Sequence, residues 1–243
     1  MKGVILAGGL GTRLMPCTRI TNKHLLPVYD RPMVHYPLRC LVNAGIDEIL
    51  LVTGGNYAGD FLQLLGNGKD FGLKDLHYTY QEGEGGIADA LRLADDFADG
   101  GRIAVVLGDN IVERSIRGAV EAYRAQERGA RILLKQVPDP ERFGVPVFEG
   151  DRIVRIEEKP KQPRSDYAVT GIYFFDHQVF EMIARLKPSD RGELEISDVI
   201  NMYLDRGQIE WSELEGWWTD AGTWPSLLRA SNLVAESGAN KTD

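Results

Sequence analysis

The sequence predicts an α/β fold built on a mostly parallel sheet, and three observations support this prediction. Short apolar runs alternate with amphipathic stretches along the first half of the chain, which is the pattern of βαβ units. The first run, Val4 to Ala7, breaks at once into the glycine-rich turn Gly8 to Gly11. Other runs end in Thr53-Gly54-Gly55, in Gln81 or in Gly108-Asp109, and ligands bind beyond such strand ends in open sheets.

Each element follows from the spacing of its apolar residues, which repeats every two residues in strands and about every 3.6 residues in helices. In the first half the predicted strands are residues 4–7, 46–53, 77–81 and 103–107, and the predicted helices are residues 33–42, 59–65 and 87–97. In the second half the predicted strands are residues 131–136, 145–148, 153–157 and 168–174, several of them antiparallel through the turn Glu149-Gly150-Asp151, and the predicted helices are residues 178–186, 196–206 and 225–236. No linker divides the chain, so we predict one domain over residues 1–243, a Rossmann-like, mostly parallel mixed sheet flanked by helices.

Composition narrows the classes of function. The chain has 28 basic and 36 acidic side chains and a net charge of −8, which argues against non-specific binding to nucleic acid. No apolar stretch is long enough to span a bilayer, and Gly8, Gly9 and Gly11 interrupt the first apolar run, which is unlike a signal peptide. Cys17 and Cys40 lack metal-ligand spacing and fit a reducing cytosol. We therefore expect a cytoplasmic protein with no nucleic-acid and no membrane partner.

The glycine turn predicts a polyphosphate site. Glycines without a Cβ let backbone N–H groups approach an anion closely, and Thr12 and Arg13 add a hydroxyl and a permanent cation. The turn is not a P-loop, because no G-K-[ST] ends it, and Leu14 stands where the dinucleotide-binding fingerprint has its third glycine. A tight turn leading into a helix, with no phosphate bound, remains the alternative.

Two aspartates are candidates for a metal site. Asp109 follows the apolar run Ile103 to Leu107, so its carboxylate lies at a strand end near the glycine turn, and Asp220 lies between Trp218 and Gly222. Nucleotidyl transfer places negative charge on phosphate oxygens, which Mg²⁺ held by one or two carboxylates can offset. The alternative for Asp109 is an Asx turn, because Asp-Asn after a glycine favours turns.

Several motifs together resemble those of a known family. Leu6 to Arg13 followed by Lys23-His24-Leu25-Leu26-Pro27 is similar to the signature of the sugar-1-phosphate nucleotidyltransferases, and among these to the glucose-1-phosphate thymidylyltransferases. Further stretches match in the same order: Gly108-Asp109-Asn110, Asp139 to Val145, Glu157-Glu158-Lys159-Pro160, Tyr167 to Gly171, Arg191 to Ile196 and Trp218 to Thr223. The resemblance covers Met1 to about Ser231.

The resemblance implies a nucleotidyltransferase fold, like that of A-type glycosyltransferases, with a nucleotide-binding half (about 1–110) and a sugar-binding half (about 111–236). The polar sequence from Gly238 onward separately predicts a frayed tail over residues 237–243. It implies that dTTP and α-D-glucose 1-phosphate react by direct in-line attack, with Mg²⁺, to give dTDP-glucose and pyrophosphate. The implied nucleotide-binding residues are Leu6, Ala7, Gly8, Gly9, Gly11, Thr12, Arg13, Lys23, Gln81, Gly86 and Asp109. The implied sugar-phosphate residues are Asn110, Gly144, Glu158, Lys159 and Val169, the metal ligands are Asp109 and Asp220, and the catalytic residues are Arg13, Lys23, Lys159 and Asp109.

Departures from the family pattern leave alternatives open. His24 stands where glutamine is usual and Phe143 where tyrosine is frequent, so UTP or another hexose 1-phosphate remains an alternative substrate. A catalytically silent nucleotide-sugar sensor is an alternative of another class. The chain stops soon after Val234, as in short forms that lack the C-terminal helices of the regulatory site, so weak or absent feedback inhibition is expected. Most relatives are dimers or tetramers, which predicts a homo-oligomer.

Overall fold

A computed structural model describes residues 1–242 of the chain. The strands are β1 (Lys2–Ala7), β2 (Pro27–Val28), β3 (Arg31–Pro32), β4 (Glu48–Gly54), β5 (Asp75–Gln81), β6 (Ile103–Leu107), β7 (Asn110–Val112), β8 (Ala130–Gln136), β9 (Gly144–Glu149), β10 (Arg152–Glu158), β11 (Tyr167–Phe175), β12 (Ile209–Glu213) and β13 (Trp218–Asp220). The helices are α1 (His35–Asn43), α2 (Ala58–Leu65), α3 (Ile87–Arg92), α4 (Asp95–Ala98), α5 (Arg117–Ala125), α6 (Gln178–Ile183), α7 (Ile196–Asp205) and α8 (Trp224–Ser237).

A seven-stranded mixed sheet in the order β12-β8-β11-β6-β1-β4-β5 forms the centre of the fold. Strands β6, β1, β4 and β5 are parallel, whereas β11 runs antiparallel to both of its neighbours. The predicted mostly parallel mixed sheet is confirmed. Because parallel strands end at the same edge, the carboxyl ends of β1, β4, β5 and β6 bring Gly8, Gly54, Gln81 and Gly108 together there.

Alternate residues of the central strands face two separate layers of the core. Val4 and Leu6 of β1 pack with residues of α3, α6, α7 and the β9–β10 hairpin. Ile5 and Ala7 pack on the opposite face with residues of α1, α2 and α5. A strand buried on both faces has no polar side to alternate, which explains why β1 is a continuous apolar run.

Several elements differ from the sequence-based expectation. The predicted helix over 87–97 is interrupted after Arg92. The backbone N–H groups of Leu93 and Ala94 donate to the carbonyls of Ala90 and Leu91, three residues back instead of four. The chain becomes α-helical again only over Asp95–Ala98, as α4. Helix α5, strand β12 and the pair β7–β13 were not predicted from the sequence. Strands of three residues, such as β7 and β13, are too short to show alternation.

The C-terminal segment is bound to the fold, unlike the frayed tail that the sequence predicts. The backbone N–H groups of Asn240 and Lys241 donate to the carbonyls of Val112 and Glu113, at 2.9 and 2.8 Å. Asn240 Nδ2 also donates to the carbonyl of Tyr36, at 3.0 Å. These hydrogen bonds satisfy backbone N–H and C=O groups that would otherwise need water as their partner. Asp243, the last residue of the predicted tail, lies outside the described residues. Within residues 1–242, no helix combines the length and apolar character needed to cross a bilayer.

Candidate active site

The glycine turn after β1 allows two side chains to approach the backbone. A Cβ added to Gly8 would lie 2.5 Å from Gln81 Oε1, so only glycine lets that amide come so close. Gly11 has a φ of +70°, and a Cβ there would lie 2.7 Å from the Cβ of Lys23. The turn therefore holds Gln81 at one end and Lys23 at the other.

One cavity, of about 260 Å³, opens between the glycine turn, the end of β5 and the start of α3. Gln81 is 6% exposed, and its Nε2 donates to Asp89 Oδ2, at 2.8 Å, and to the carbonyl of Gly86. These bonds fix the amide so that Oε1 lies beside Gly8. The cavity is lined by Leu6, Gly8, Gly9, Arg13, Lys23, His24, Gln81, Gly83, Glu84, Gly86, Ile87, Ala90, Leu107, Asp109 and Glu193.

A second cavity, of about 430 Å³, adjoins the first and shares Arg13, Ile87, Leu107 and Asp109 with it. Its other lining residues are Asn110, Arg142, Phe143, Gly144, Glu158, Lys159, Val169, Gly171, Tyr173, Ile196, Trp218 and Asp220. The shared residues form the boundary between the two cavities, so a group bound at that boundary contacts both.

Asp109 forms a close ion pair at this boundary. Lys23 Nζ lies 2.6 Å from Asp109 Oδ2, and both side chains are 13% exposed. Burial alone would raise the pKa of Asp109, but the charge of Lys23 and the hydrogen bonds from Lys23 and Asn110 outweigh it and hold that pKa well below its usual value. Asp109 is therefore ionised at neutral pH.

The side chain of Asn110 orients Asp109. Asn110 Oδ1 accepts hydrogen bonds from Trp218 Nε1, at 2.6 Å, and from the backbone N–H of Gly171, at 3.0 Å. Its Nδ2 donates to Asp109 Oδ1, at 3.0 Å. With Asn110 only 4% exposed, this amide has one defined orientation and transmits it to the carboxylate.

Strand pairing brings the second carboxylate beside the first. In the antiparallel pair β7–β13, Asp220 lies opposite Asn110, and the backbone N–H of Ala221 donates to the carbonyl of Asp109, at 2.9 Å. Arg142 Nη2 donates to both oxygens of Asp220, at 3.0 and 3.1 Å, and its Nη1 donates to Asp139, at 2.8 Å. Burial lowers the pKa of Arg142, but these two carboxylates outweigh it and raise that pKa, so the guanidinium is permanently charged.

A third group of charged residues lines the far side of the second cavity. Glu158 Oε2 accepts a hydrogen bond from Ser197, at 3.1 Å, and its Oε1 lies 3.3 Å from Arg191 Nη2 and 3.5 Å from Lys159 Nζ. Lys159 has a φ of +44°, an uncommon conformation for a residue with a side chain that costs on the order of 1 kcal/mol or more. Such strain is typical of residues whose position matters for function.

The two aspartates fit a divalent cation that also binds phosphates. A Cβ added to Gly222 would lie 3.3 Å from Asp109 Oδ2, from Asp220 Oδ2 and from Arg13 Nη2, so these three groups converge on one point. Among residues 1–242, no three His, Cys, Asp or Glu side chains group closely enough to hold a metal on their own. Mg²⁺ commonly uses one or two carboxylates and takes its other ligands from phosphates and water, and this donor set suits that mode.

Comparison with known proteins agrees with the geometry. The family model for nucleotidyl transferases matches residues 2–237. The chain belongs to that family. It is 48% identical over 238 residues to a glucose-1-phosphate thymidylyltransferase of Neisseria meningitidis, covering 96% of this chain and 82% of that protein. A protein of the same name from Xanthomonas campestris is 44% identical over 237 residues, covering 96% of this chain and 80% of its own length.

Solved structures of this nucleotidyl transferase fold superpose on nearly the whole chain. A Bacillus anthracis protein assigned as a glucose-1-phosphate thymidylyltransferase, crystallised with sucrose, has a TM-score of 0.93 and 51% identity over 97% of this chain and 96% of its own. A UDP-glucose pyrophosphorylase bound to UDP-glucose has a TM-score of 0.84, over 97% of this chain and 98% of its own, at 23% identity, which shows the fold alone.

Most of the residues that the sequence marks for this nucleotidyl transferase site line one of the two cavities. Three do not. Ala7 is fully buried in β1, Gly11 contacts Lys23, and Thr12 is exposed at the start of the short 3-10 helix Thr12–Leu14. All five predicted sugar-phosphate residues and both predicted metal ligands lie around the second cavity.

Among the lining or supporting residues to which the sequence assigned no role are His24, Arg142, Arg191 and Trp218. Each lies inside a motif that matches the family, but their partners are distant in sequence, so the pattern alone did not show what they contact. His24 is 2% exposed, and its Nδ1 lies 2.8 Å from Asn22 Oδ1. Burial and the nearby Lys23 lower the pKa of His24 to about 3, so its ring is neutral at the edge of the first cavity.

Proposed function

We propose that this protein transfers a thymidylyl group from dTTP to α-D-glucose 1-phosphate, giving dTDP-glucose and pyrophosphate. The observation that carries the proposal is the pair of adjoining cavities that share Arg13 and Asp109. A nucleotidyl transferase must hold two anionic reactants end to end, with cations where they meet. The names of relatives at 48% and 44% identity support this choice of substrates.

The reaction is a displacement at the α-phosphorus of dTTP. A phosphate oxygen of glucose 1-phosphate attacks that phosphorus in line, the bond to the bridging oxygen of the β-phosphate breaks, and pyrophosphate leaves with that electron pair. The attacking oxygen is already anionic, so no residue has to remove a proton. Rate acceleration then depends on alignment and on the cancelling of charge between two anions.

Three cations suit this task. Arg13 lines both cavities and binds the phosphates that leave as pyrophosphate. Lys23, which pairs with Asp109 in the absence of substrate, meets the α-phosphate. Lys159, held at the opposite wall beside Glu158, binds the phosphate of the sugar. Mg²⁺ held by Asp109 and Asp220 supplies further neutralisation of phosphate charge when it is bound.

Polar groups at the two outer ends select the base and the sugar. At the nucleotide end, Gln81 Oε1 accepts the imide N–H of thymine, and backbone groups near Gly86 contact the same edge of the base. At the sugar end, Glu158 accepts hydrogen bonds from two hydroxyls of the sugar. Gly144 and Val169 contribute backbone groups and form part of the wall against which the sugar fits. The first half of the chain, about 1–110, thus binds nucleotide and the second, about 111–236, binds sugar.

We place the enzyme in the cytoplasm as a homo-oligomer. Cys17 and Cys40 are both free thiols, as a reducing compartment requires. Family resemblance supports a dimer or tetramer, and Ile20 and Leu228 are 81% and 64% exposed, so apolar surface is present for subunit contact. Light scattering coupled to size-exclusion chromatography measures the oligomeric state.

Pyrophosphate release tests the proposed reaction. We expect turnover with Mg²⁺ to be fastest for dTTP with glucose 1-phosphate in a grid of dTTP, UTP, CTP, ATP and GTP against several hexose 1-phosphates. A different leading pair would keep the chemistry and reassign Gln81 and Glu158. Inactivity with every pair would favour a nucleotide-sugar sensor over an enzyme.

Asp109→Asn provides the matched test of mechanism. Loss of the carboxylate charge should lower kcat by about 10³-fold, while dTTP binding, measured by calorimetry without glucose 1-phosphate, should persist through Gln81 and Arg13. Equal turnover in the variant and the parent would contradict the role of Asp109.

A further inference from the structure

Each carboxylate proposed to hold Mg²⁺ already binds a cationic side chain. Lys23 Nζ lies 2.6 Å from Asp109 Oδ2, and one nitrogen of Arg142 donates to both oxygens of Asp220, at 3.0 and 3.1 Å. Two carboxylates facing one point repel each other unless positive charge lies between or beside them. The protein supplies that charge from its own side chains.

The position of Arg142 does not depend on Asp220 alone. Its Nη1 donates to Asp139, at 2.8 Å, and its guanidinium lies over the ring of Phe143, 4.9 Å from the centroid. Phe143 in turn packs on Trp218, with ring centroids 5.0 Å apart. These contacts keep the cation at the wall of the second cavity when its bonds to Asp220 are broken.

We propose that Arg142 competes with the divalent cation for Asp220. This inference rests on the proposed function, because it assumes that Asp220 is a metal ligand. Both oxygens of Asp220 accept from the same guanidinium nitrogen, so a divalent cation at a coordination distance of about 2 Å competes with Arg142 for the lone pairs of that carboxylate and is repelled by the guanidinium charge beside it. Arg142 is thus a positioning residue: it fixes the orientation of the Asp220 carboxylate and lowers the affinity of that carboxylate for metal.

The competition predicts that removing Arg142 tightens metal binding. Mn²⁺ alone, added to the substrate-free protein and followed by the loss of the free-ion electron paramagnetic resonance signal, should bind Arg142→Gln about fivefold to tenfold more tightly than wild type. The matched control is Arg164→Gln, which removes one positive charge at a side chain that is 68% exposed and outside both cavities. It should bind Mn²⁺ as wild type does.

Arg142→Lys serves as a second variant in case Arg142→Gln does not fold. Lysine keeps the positive charge, but it lacks the two separate nitrogens with which Arg142 donates to Asp139 and to Asp220. It should bind Mn²⁺ more tightly than wild type and less tightly than Arg142→Gln. Mn²⁺ affinity of either variant that is equal to or weaker than that of Arg164→Gln would overturn the inference.

Asp220→Asn separates this inference from the proposed function. It should bind Mn²⁺ more weakly than wild type, and wild-type affinity in it would show that Asp220 is not a metal ligand and would overturn both the metal site and the competition. Because Mn²⁺ binding is measured without substrates, an inactive enzyme in the pyrophosphate assay would contradict only the proposed reaction.

Discussion

The buried imidazole of His24 makes folding sensitive to acid. Its ring packs against Gly108, where an added Cβ would lie 2.7 Å from ring Cδ2, and burial and Lys23 lower its pKa from 6.5 to about 3. Below pH 6.5 the unfolded chain binds a proton that the folded protein excludes, so the free energy of unfolding falls as the pH falls toward 3. Between pH 7.5 and 5 this group alone should lower it by about 2 kcal/mol.

His24→Gln tests that assignment, because glutamine does not titrate. Urea unfolding at pH 7.5, 6 and 5 should show that the variant loses about 2 kcal/mol less stability over this interval than wild type does. Asp109 has a lowered pKa, so its contribution is lost only as the pH falls below about 4, outside this interval. Parallel losses in the two proteins would mean that His24 is protonated in the folded state.

Single residues of the site were predictable where their chemistry is local. Gly8 and Arg13 belong to one short turn, and the choice of glycine beside a cation can be inferred from that turn alone. Arg142 shows the limit, because its role depends on Asp220, which is 78 residues away in the chain. A sequence contains both residues without showing that they meet.

Elements were predictable where their apolar period is long enough to be seen. Strand β6 has the predicted bounds. Strand β4 and helix α1 differ from the prediction by one or two residues at each end. The pair β7–β13 has only three residues in each strand, yet its register places Asp220 beside Asp109. The element that assembles the proposed metal site is therefore one with almost no sequence signal.

The C-terminal segment should stabilise the fold through Asn240. Its amide donates to the carbonyl of Tyr36, and its backbone has a φ of +54°, which asparagine and glycine tolerate better than alanine. Asn240→Gly should lower the free energy of unfolding by about 1 kcal/mol through the lost hydrogen bond. Asn240→Ala should lower it by about 2 kcal/mol, because backbone strain is added.

Urea unfolding of the two Asn240 variants separates these effects. Turnover at 25 °C should stay unchanged in both, because Asn110 keeps its bonds to Trp218 and Gly171. Equal stability of wild type, Asn240→Gly and Asn240→Ala would show that residues 238–242 are frayed in solution, as their polar sequence suggests.

At the scale of the whole molecule, one sheet edge joins the two halves of the chain. Strand β6 ends at Leu107, which lines both cavities, and β7 begins at Asn110, which lines the second, so the chain passes from the first cavity to the second within a few residues. Strand β11, from the second half, pairs antiparallel with β6 and brings Val169 and Gly171 to the second cavity. Binding at either cavity therefore orders residues that both halves contribute.

Ligand binding should consequently raise the thermal stability of the entire chain. At a free concentration of dTTP about 100 times its Kd, the expected gain is about 2.7 kcal/mol, which for a domain of this size raises Tm by roughly 5–10 °C. Differential scanning fluorimetry with Mg²⁺ and dTTP measures this shift. Inorganic tripolyphosphate, which occupies only the phosphate end near Arg13 and Lys23, should produce a smaller one.

Gln81→Ala then separates the rise in Tm that comes from binding the base of dTTP from the rise that comes from binding its phosphates. The variant should respond to tripolyphosphate as wild type does, because Arg13 and Lys23 are intact, and its response to dTTP should fall to nearly the tripolyphosphate value at the same concentration. If the variant instead kept the full dTTP shift, the base would not contact Gln81, and its thymine specificity would have to arise from backbone groups around Gly86. Loss of the response to both ligands would mean that the amide supports the glycine turn through Gly8 and does not read the base.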